Sequence, residues 1–419
     1  MTVLLPARQF ATPLEDGRAG VKAVARARSR YARKVTVYLD HAASSPVHPD
    51  ARAAMVDWLA NGFGNPSGSH AVARRAKAVI EEAREVVASF LGVDAGGVVF
   101  TSGGTEADNL AVLGTLAGHR PAAGRSPGAI VVSAVEHPAV LESARTAADL
   151  GHELRVVDVG ADGLVRLDHL REVVDRDVVL VSIQVVNHET GVVQPLADLA
   201  RRIRKWAPTA VIHTDAVQAA PWLDPAVVAA GADLVSISGH KIGGPQGIGA
   251  LGVRNGVAVA PILHGGGQER ERRSGTPNVA AIAGLAAAVR ARKARTEAET
   301  RAARDLRDLL VDVIQKAVPN AVLTAAASPR TPGHCHFRFP GVENESLLFL
   351  LDERGICASA GAACASGAIE PSPVLLAMGV DKVDASSSLR LTLGPGTTEE
   401  EIRRAASAVI ESIAVLRRP

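Results

Sequence analysis

The run Val178-Val179-Leu180-Val181-Ser182-Ile183-Gln184-Val185-Val186 is apolar at all but two positions. A strand with one wet face alternates polar and apolar residues, whereas a strand that stays apolar throughout is buried on both faces. Similar short β-branched runs occur at residues 35–39, 98–102, 129–134, 153–157, 211–214, 234–238 and 248–253, separated by Ala-rich helical stretches. The alternation predicts an α/β fold: a large domain built on a mostly parallel, seven-stranded-type sheet covered by helices. From Asn278 to about Val318 an Ala/Arg/Leu-rich segment reads as helical and should bridge to a smaller α+β domain. The expected division is a large domain over 55–278, and a small domain formed by 35–54 with 279–419. Residues 1–34 carry eight basic residues against Glu15 and Asp16 and read as a disordered tail, a transit peptide or the product of an upstream start codon.

A length of 419 residues allows two or three lobes and a large core. Basic and acidic residues number 46 and 44, so the net charge of +2 gives no reason to expect a nucleic acid or an anionic membrane as partner. No stretch approaches the ~18 uninterrupted apolar residues of a membrane span, and the first ten residues lack the pattern of a secretory signal. The protein is expected in the cytoplasm. The three cysteines, Cys335, Cys357 and Cys364, cannot form a disulfide framework, and an odd count leaves a free thiol.

Lys241 follows an apolar strand in Ser236-Ile237-Ser238-Gly239-His240-Lys241 and precedes Ile242-Gly243-Gly244. A lysine between glycines at a strand end lies where backbone can approach a ligand, and removal from water frees its amine to attack an aldehyde. Asp215, in His213-Thr214-Asp215-Ala216-Val217-Gln218, comes just after another strand and so shares the carboxyl edge of the sheet with Lys241. Alone it would read as a helix cap. Beside Lys241 it reads as the carboxylate that keeps a pyridine nitrogen protonated, with Gln218 in reach of the ring hydroxyl. Thr101-Ser102-Gly103-Gly104-Thr105-Glu106 runs from strand into helix and offers free N–H groups to a phosphate, with Ser238 and His240 as further donors. Amine, carboxylate and anion turn together point to pyridoxal 5'-phosphate (PLP).

With these motifs the sequence resembles the class V aminotransferase-type cysteine desulfurases of the NifS and IscS group, which have the type I fold of PLP-dependent transferases. The resemblance runs from about Val37 to Ile410. It rests on Leu39-Asp40-His41-Ala42-Ala43, Gly64-Asn65-Pro66-Ser67, residues 101–109, Glu136-His137, Asn187-His188-Glu189-Thr190-Gly191, residues 213–218, 238–243, 265–276, 360–366 and Ser388-Leu389-Arg390. It implies that His137 stacks on the pyridine and assists proton transfer, that Asn187 and Gln218 contact the cofactor oxygen, and that Gly104, Thr105, Ser238 and His240 hold the phosphate. It further implies that Thr276 reaches the phosphate of the partner subunit in a homodimer, and that Arg390 clamps the substrate carboxylate, with Asn187 also at the substrate. L-cysteine would lose its sulfur to Cys364, and the resulting persulfide would pass to an acceptor protein, a scaffold or a thiolation enzyme.

Cys364 lies among small residues, Ala360-Gly361-Ala362-Ala363-Cys364-Ala365-Ser366-Gly367, with little to pack into a core, and a deprotonated thiol is a good nucleophile. Cys357, beside Ile356, reads instead as a small buried hydrophobe. His336, in Gly333-His334-Cys335-His336, stands where the family commonly has Asn. Consecutive strand residues alternate faces, so these three side chains cannot converge on one metal ion. Gly124-Arg125-Ser126-Pro127-Gly128 matches a hydrolase G-x-S-x-G, yet a loop precedes Ser126 and a strand follows, the reverse of a nucleophile elbow. A selenocysteine lyase or an aminotransferase of the same fold is the nearer rival, and a transaminase has no need of the Cys364 thiol. A non-enzymatic scaffold would not need Lys241 and Asp215. Iron-sulfur cluster assembly, tRNA thiolation, DNA phosphorothioation and thio-metabolite synthesis remain equally open as destinations of the sulfur.

Overall fold

The computed structural model describes residues 36–119, 127–361 and 371–418. The predicted tail 1–34, Ser126 and Cys364 lie outside them. After a two-residue strand, β1 (Val37–Tyr38), the apolar runs assemble into one seven-stranded sheet: β2 (Val98–Thr101), β3 (Ala129–Ser133), β4 (Glu153–Val157), β5 (Val178–Ser182), β6 (Val211–Asp215), β7 (Leu234–Ser238) and β8 (Gly249–Val253). Their order is β2-β8-β7-β6-β5-β3-β4. Only β8 runs against its neighbours. Residues 239–248, which join β7 to β8, are fewer than the dozen or so that a parallel crossover takes, so the chain returns antiparallel. Strands β2, β3, β7 and β8 are buried along their whole length, as their composition requires. Edge strand β4 is the exception and carries Glu153 and Arg155 towards solvent.

Two elements differ from expectation. Regular strand in the run 178–186 ends at Ser182; Ile183 and Val185 N–H still donate to the His213 and Asp215 carbonyls of β6, the Gln184 N–H donates to the Glu136 carboxylate at 2.7 Å, and the chain then turns at Asn187. The helical segment after Asn278 is two helices, Val279–Lys293 and Glu297–Ala317, broken where Thr296 and Glu299 form a capping box. The first buries Val279, Ile282 and Leu285 in the core beneath the large sheet, together with Ala51 and Trp58. The second buries Leu310 and Ile314 in a separate core with Val37, Leu39, Phe337, Phe339 and Leu347. A single straight helix could not serve both cores.

That second core belongs to the smaller lobe, with β9 (Val322–Leu323), β10 (His334–Arg338), β11 (Ile356–Cys357) and β12 (Ser388–Thr392). Strands β12-β10-β9 form an antiparallel sheet, and β11 pairs in parallel with β1. Along β10, Cys335 and Phe337 point into the lobe's core. His334 and His336, on the opposite face, are also fully buried. Burial pushes both imidazoles down to about 3.

One buried ion pair ties the far edge of the large sheet to the segment that follows β8. Arg84, 5 % exposed, donates to both oxygens of Glu269 at 2.9 Å and to the Val98 carbonyl at 2.7 Å. Glu269 also accepts from the Phe100 N–H, and it begins a run of three residues with φ of 48°, 56° and 65°. Left-handed backbone in non-glycine residues persists only where its surroundings hold it.

Arg84→Ala or Glu269→Ala leaves a buried charge without its partner and is expected to destabilise the protein by about 3–5 kcal/mol in urea unfolding, with the double variant losing less than the sum. His336 has a folded pKa below its unfolded value, so between about 6.5 and 3 the unfolded chain binds the extra proton and stability falls with pH. His336→Asn removes that contribution; its urea midpoint is expected to drop less between pH 7 and pH 5 than that of the parent.

Candidate active site

The carboxyl ends of β6 and β7, the start of the helix Gly104–Gly118 and the loop after β1 meet at one place. Asp215 is the last residue of β6 rather than the one after it. One of its oxygens accepts from the Val217 N–H at 2.8 Å. Burial raises its pKa, while His137, the Val217 N–H and Lys241 pull it down. A carboxylate so placed is served best by a cation. Lys241 ends the short turn Gly239–Lys241 after β7, and its Nζ donates to the carbonyls of Ala42 and Ala43 at 2.6 and 2.8 Å.

The loop 42–45 is fastened by the same neighbourhood. Gln218 Nε2 donates to the Ala42 carbonyl at 2.9 Å, the Ser45 N–H donates to the His240 carbonyl, and His240 Nδ1 lies 3.3 Å from Ser44 Oγ. These side chains therefore hold the loop.

At the phosphate turn, a Cβ added to Gly103 would meet nothing within 4 Å, which leaves open space above the helix start. One added to Gly104 would come to 2.9 Å from the Val217 side chain and 3.4 Å from the Ser238 Cβ, so glycine here lets the helix start pack against Val217. The first-turn N–H groups of this helix, those of Gly104 and Thr105 among them, have no intrahelical acceptor and face that space.

His137 caps the helix Pro138–Asp149, its Nδ1 accepting from the Ala139 N–H at 3.1 Å. With Nδ1 so engaged, the neutral ring carries its proton on Nε2. Burial lowers its pKa, with Asp215 opposing and Lys241 adding to the shift. The ring packs edge-on against His188, centroids 5.2 Å apart. Asn187 is mostly occupied by its own turn: Oδ1 accepts from Glu189 N, Thr190 N and Thr190 Oγ1, and Nδ2 donates to the Val135 carbonyl. Among the described residues the other Nδ2 hydrogen meets no acceptor.

Arg390 projects from β12 of the small lobe and is 3 % exposed. Its Nη2 pairs with Asp40 at 2.9 Å, Nη1 donates to the His188 carbonyl at 2.9 Å and to the Gly361 carbonyl at 3.4 Å, and Nε has no partner among the described residues. Sequence reasoning quoted Asp40 and Glu189 only as parts of motifs and gave them no role. Asp40 stands 350 positions from the arginine it pairs with, and nothing local signals that pairing.

Thr276 is exposed, three positions after Arg273, whose guanidinium holds Glu106 in the first turn of the phosphate helix at 2.7 and 3.2 Å. The structure thus docks this segment on the phosphate turn without bringing Thr276 into the same site. Of the cysteines, Cys335 is pushed by burial to about 12 and Cys357 is raised as well, so neither thiol ionises readily.

The residues present fit PLP: a buried carboxylate for the ring nitrogen, an amine at the aldehyde position, and a glycine cradle at a helix start for the phosphate.

Residues 37–405 match the aminotransferase class-V family. The chain is 41% identical to the IscS-like cysteine desulfurase of Mycobacterium tuberculosis, over 91% of this chain and 97% of that protein. It is 38% identical to cysteine desulfurase IscS of Dictyoglomus turgidum, over 88% and 92%. Among solved structures it is similar to a NifS-like protein, with a TM-score of 0.83 and 32% identity over 91% of this chain and all of that one. DndA from Streptomyces lividans superposes with a TM-score of 0.72 and 35% identity, covering 86% of this chain and 100% of that one. The chain belongs to the aminotransferase class-V family and, within it, to the PLP-dependent cysteine desulfurases of the NifS/IscS type.

Proposed function

We propose that the protein removes sulfur from L-cysteine, releasing L-alanine and keeping the sulfur as a persulfide on Cys364. The observation that carries this reading is the placement of Gly361. Its carbonyl touches Arg390, and a Cβ at this position would lie 3.0 Å from Glu189 and 3.4 Å from His336. Cys364 follows three positions later in the sequence.

Bound PLP supplies an electron sink conjugated to the substrate's Cα. The chain's own residues do the rest. Arg390, through its unpartnered Nε, takes the substrate carboxylate and fixes the amino acid against the Asn187 turn. Asp215 keeps the ring nitrogen cationic. Lys241 moves the Cα proton, and His137, proton on Nε2, assists it. Cys364 thiolate then forms an S–S bond to the substrate sulfur as the substrate's Cβ–S bond breaks. The bonding electrons stay with the carbon skeleton, which takes up protons and leaves as alanine, so the thiol and cysteine become persulfide and alanine with no outside oxidant.

The exposed Thr276, on a segment clamped to the phosphate turn, supports a homodimer in which this residue completes the partner's phosphate site. Among the described residues no helix is long and apolar enough to cross a membrane. A cytoplasmic enzyme that hands its persulfide to an acceptor protein is the setting that free, unionised Cys335 and Cys357 suit.

Purified holoprotein given L-cysteine is expected to form alanine and to carry one extra sulfur on Cys364 by peptide mass. Cys364→Ala should lower sulfide and alanine formation by about 10²-fold or more, and Lys241→Ala by about 10³-fold with loss of the visible absorption of lysine-bound cofactor. Full sulfide production by Cys364→Ala would show the persulfide assignment to be wrong.

A further inference from the structure

The helix Val279–Lys293 ends in basic residues that divide by direction. Arg290 and Lys293 point outwards, to Glu82 and to the Ser89 hydroxyl. Arg292 points inwards and is 9 % exposed. Its Nε donates to the Ala220 carbonyl at 2.9 Å, and its two terminal nitrogens meet no acceptor among the described residues. Arg295, just beyond the helix, lies 4.9 Å over the Trp222 ring and donates to the Pro221 carbonyl. Neither guanidinium forms an ion pair among the described residues. Burial pushes both below the usual guanidinium range, Arg295 to about 10, and the charge of Arg292 adds to the shift of Arg295. The carboxylates that oppose this, Asp224 for Arg292 and Glu299 for Arg295, act from a distance and are engaged in helix caps of their own. A helix C-terminus favours cations, but that does not account for two drawn away from water without a counter-charge.

Both arginines line a cavity of about 480 Å³ where the chain crosses between the lobes, with residues 45–50 on one wall and 291–299 on another. Much of the remaining lining is apolar, from Pro46, Val47, Trp222, Ile242 and Leu393. Its carboxylates, Asp50 beside His48 and Glu299, are exposed. His41 and His334, also on the wall, are lowered by burial to about 4 and about 3 and are neutral. Asp215, His137, Gly104, Asn187 and Arg390 do not line it; Lys241 and Gln218 form the wall it shares with the cofactor position. We propose that this cavity is a second ligand site, for a small organic anion: a carboxylate or phosphate group held by Arg292 and Arg295, with an apolar body against Trp222 and its neighbours. A guanidinium's planar fork meets either head group through parallel hydrogen bonds, and the cavity has the size and mainly apolar lining of small-molecule pockets. The site does not rest on the desulfurase reading.

The probes are benzoate and phenyl phosphate, titrated by calorimetry into full-length holoprotein at constant ionic strength, with the visible absorption of the cofactor followed in parallel. Saturable binding of at least one of the two is expected, and the tighter one identifies the head group. Benzamide, which has the ring without the charge, and inorganic phosphate, which has the charge without the ring, should bind about tenfold more weakly or less tightly still. Arg292→Met and Arg295→Met keep an apolar stem and lose the charge; each is expected to weaken binding by about tenfold or more with the cofactor absorption unchanged, whereas Arg292→Lys should stay within about threefold of the parent. Each Met variant removes a charge that has no partner in the chain, so its urea midpoint without ligand should not fall. A fall in midpoint with affinity kept would mean that the arginines only tie down Ala220 and Pro221, and would overturn the proposal. Failure of both anions to bind would overturn it too, as would loss of cofactor absorption on adding them, which would place them at the phosphate turn. Equal affinity for inorganic phosphate and phenyl phosphate, or a loss in Arg292→Lys as large as in Arg292→Met, would do the same.

Discussion

Arg390 is the cation on which the arrangement of this molecule turns. It leaves β12 of the small lobe and reaches a carboxylate in the segment after β1, the carbonyl of His188 in the large lobe's turn, and the carbonyl of Gly361. A guanidinium removed from water costs several kcal/mol unless its donors are met, and here three separate parts of the chain supply the acceptors. Each contact fixes the position of one part against the others. The two hydrophobic cores are separate, and the polar junction at Arg390 joins the lobes alongside the backbone bridge between Val192 and Arg330.

The site above that junction is crowded with groups that would rather be in water. Asp108 and Glu136 are fully buried carboxyls; burial raises both, Glu136 to about 8, and the nearby Asp215 adds to the shift. His213, His334 and His336 are held neutral at about 3. Burial raises Asp215 too, but His137, the Val217 N–H and Lys241 oppose the rise, which leaves it the carboxyl best able to carry charge towards a ring nitrogen. Few of these groups strengthen the fold. They shape the electrostatics of a cavity whose ligand supplies the missing partner.

Much of this was legible in the residues. Unbroken apolar runs announced buried strands, and a lysine and an aspartate at strand ends had to share the sheet's carboxyl edge because parallel strands all end on the same side. The strand-to-helix turn at Gly103 and Gly104 was legible from its glycines, although many helices begin that way and only Lys241 and Asp215 made it read as a phosphate turn. The errors fell where a side chain overruled a local pattern. The apolar run 178–186 keeps hydrogen-bonding to β6 through Ile183 and Val185, while on its other side Glu136 takes the Gln184 N–H, and the helix after Asn278 breaks because it must serve two cores.

By itself, then, the sequence determined the elements, the chemistry at each strand end and the cofactor those residue types suit, since such properties depend on neighbours a few positions apart. The tertiary structure alone decided that Asp40 meets Arg390, that Ala42 accepts from both Gln218 and Lys241, and that Glu189 accepts from Ser372. The reason is physical: these are contacts of buried polar atoms across long stretches of chain. Which acceptor each donor finds is settled only when both lobes have folded and water has been excluded.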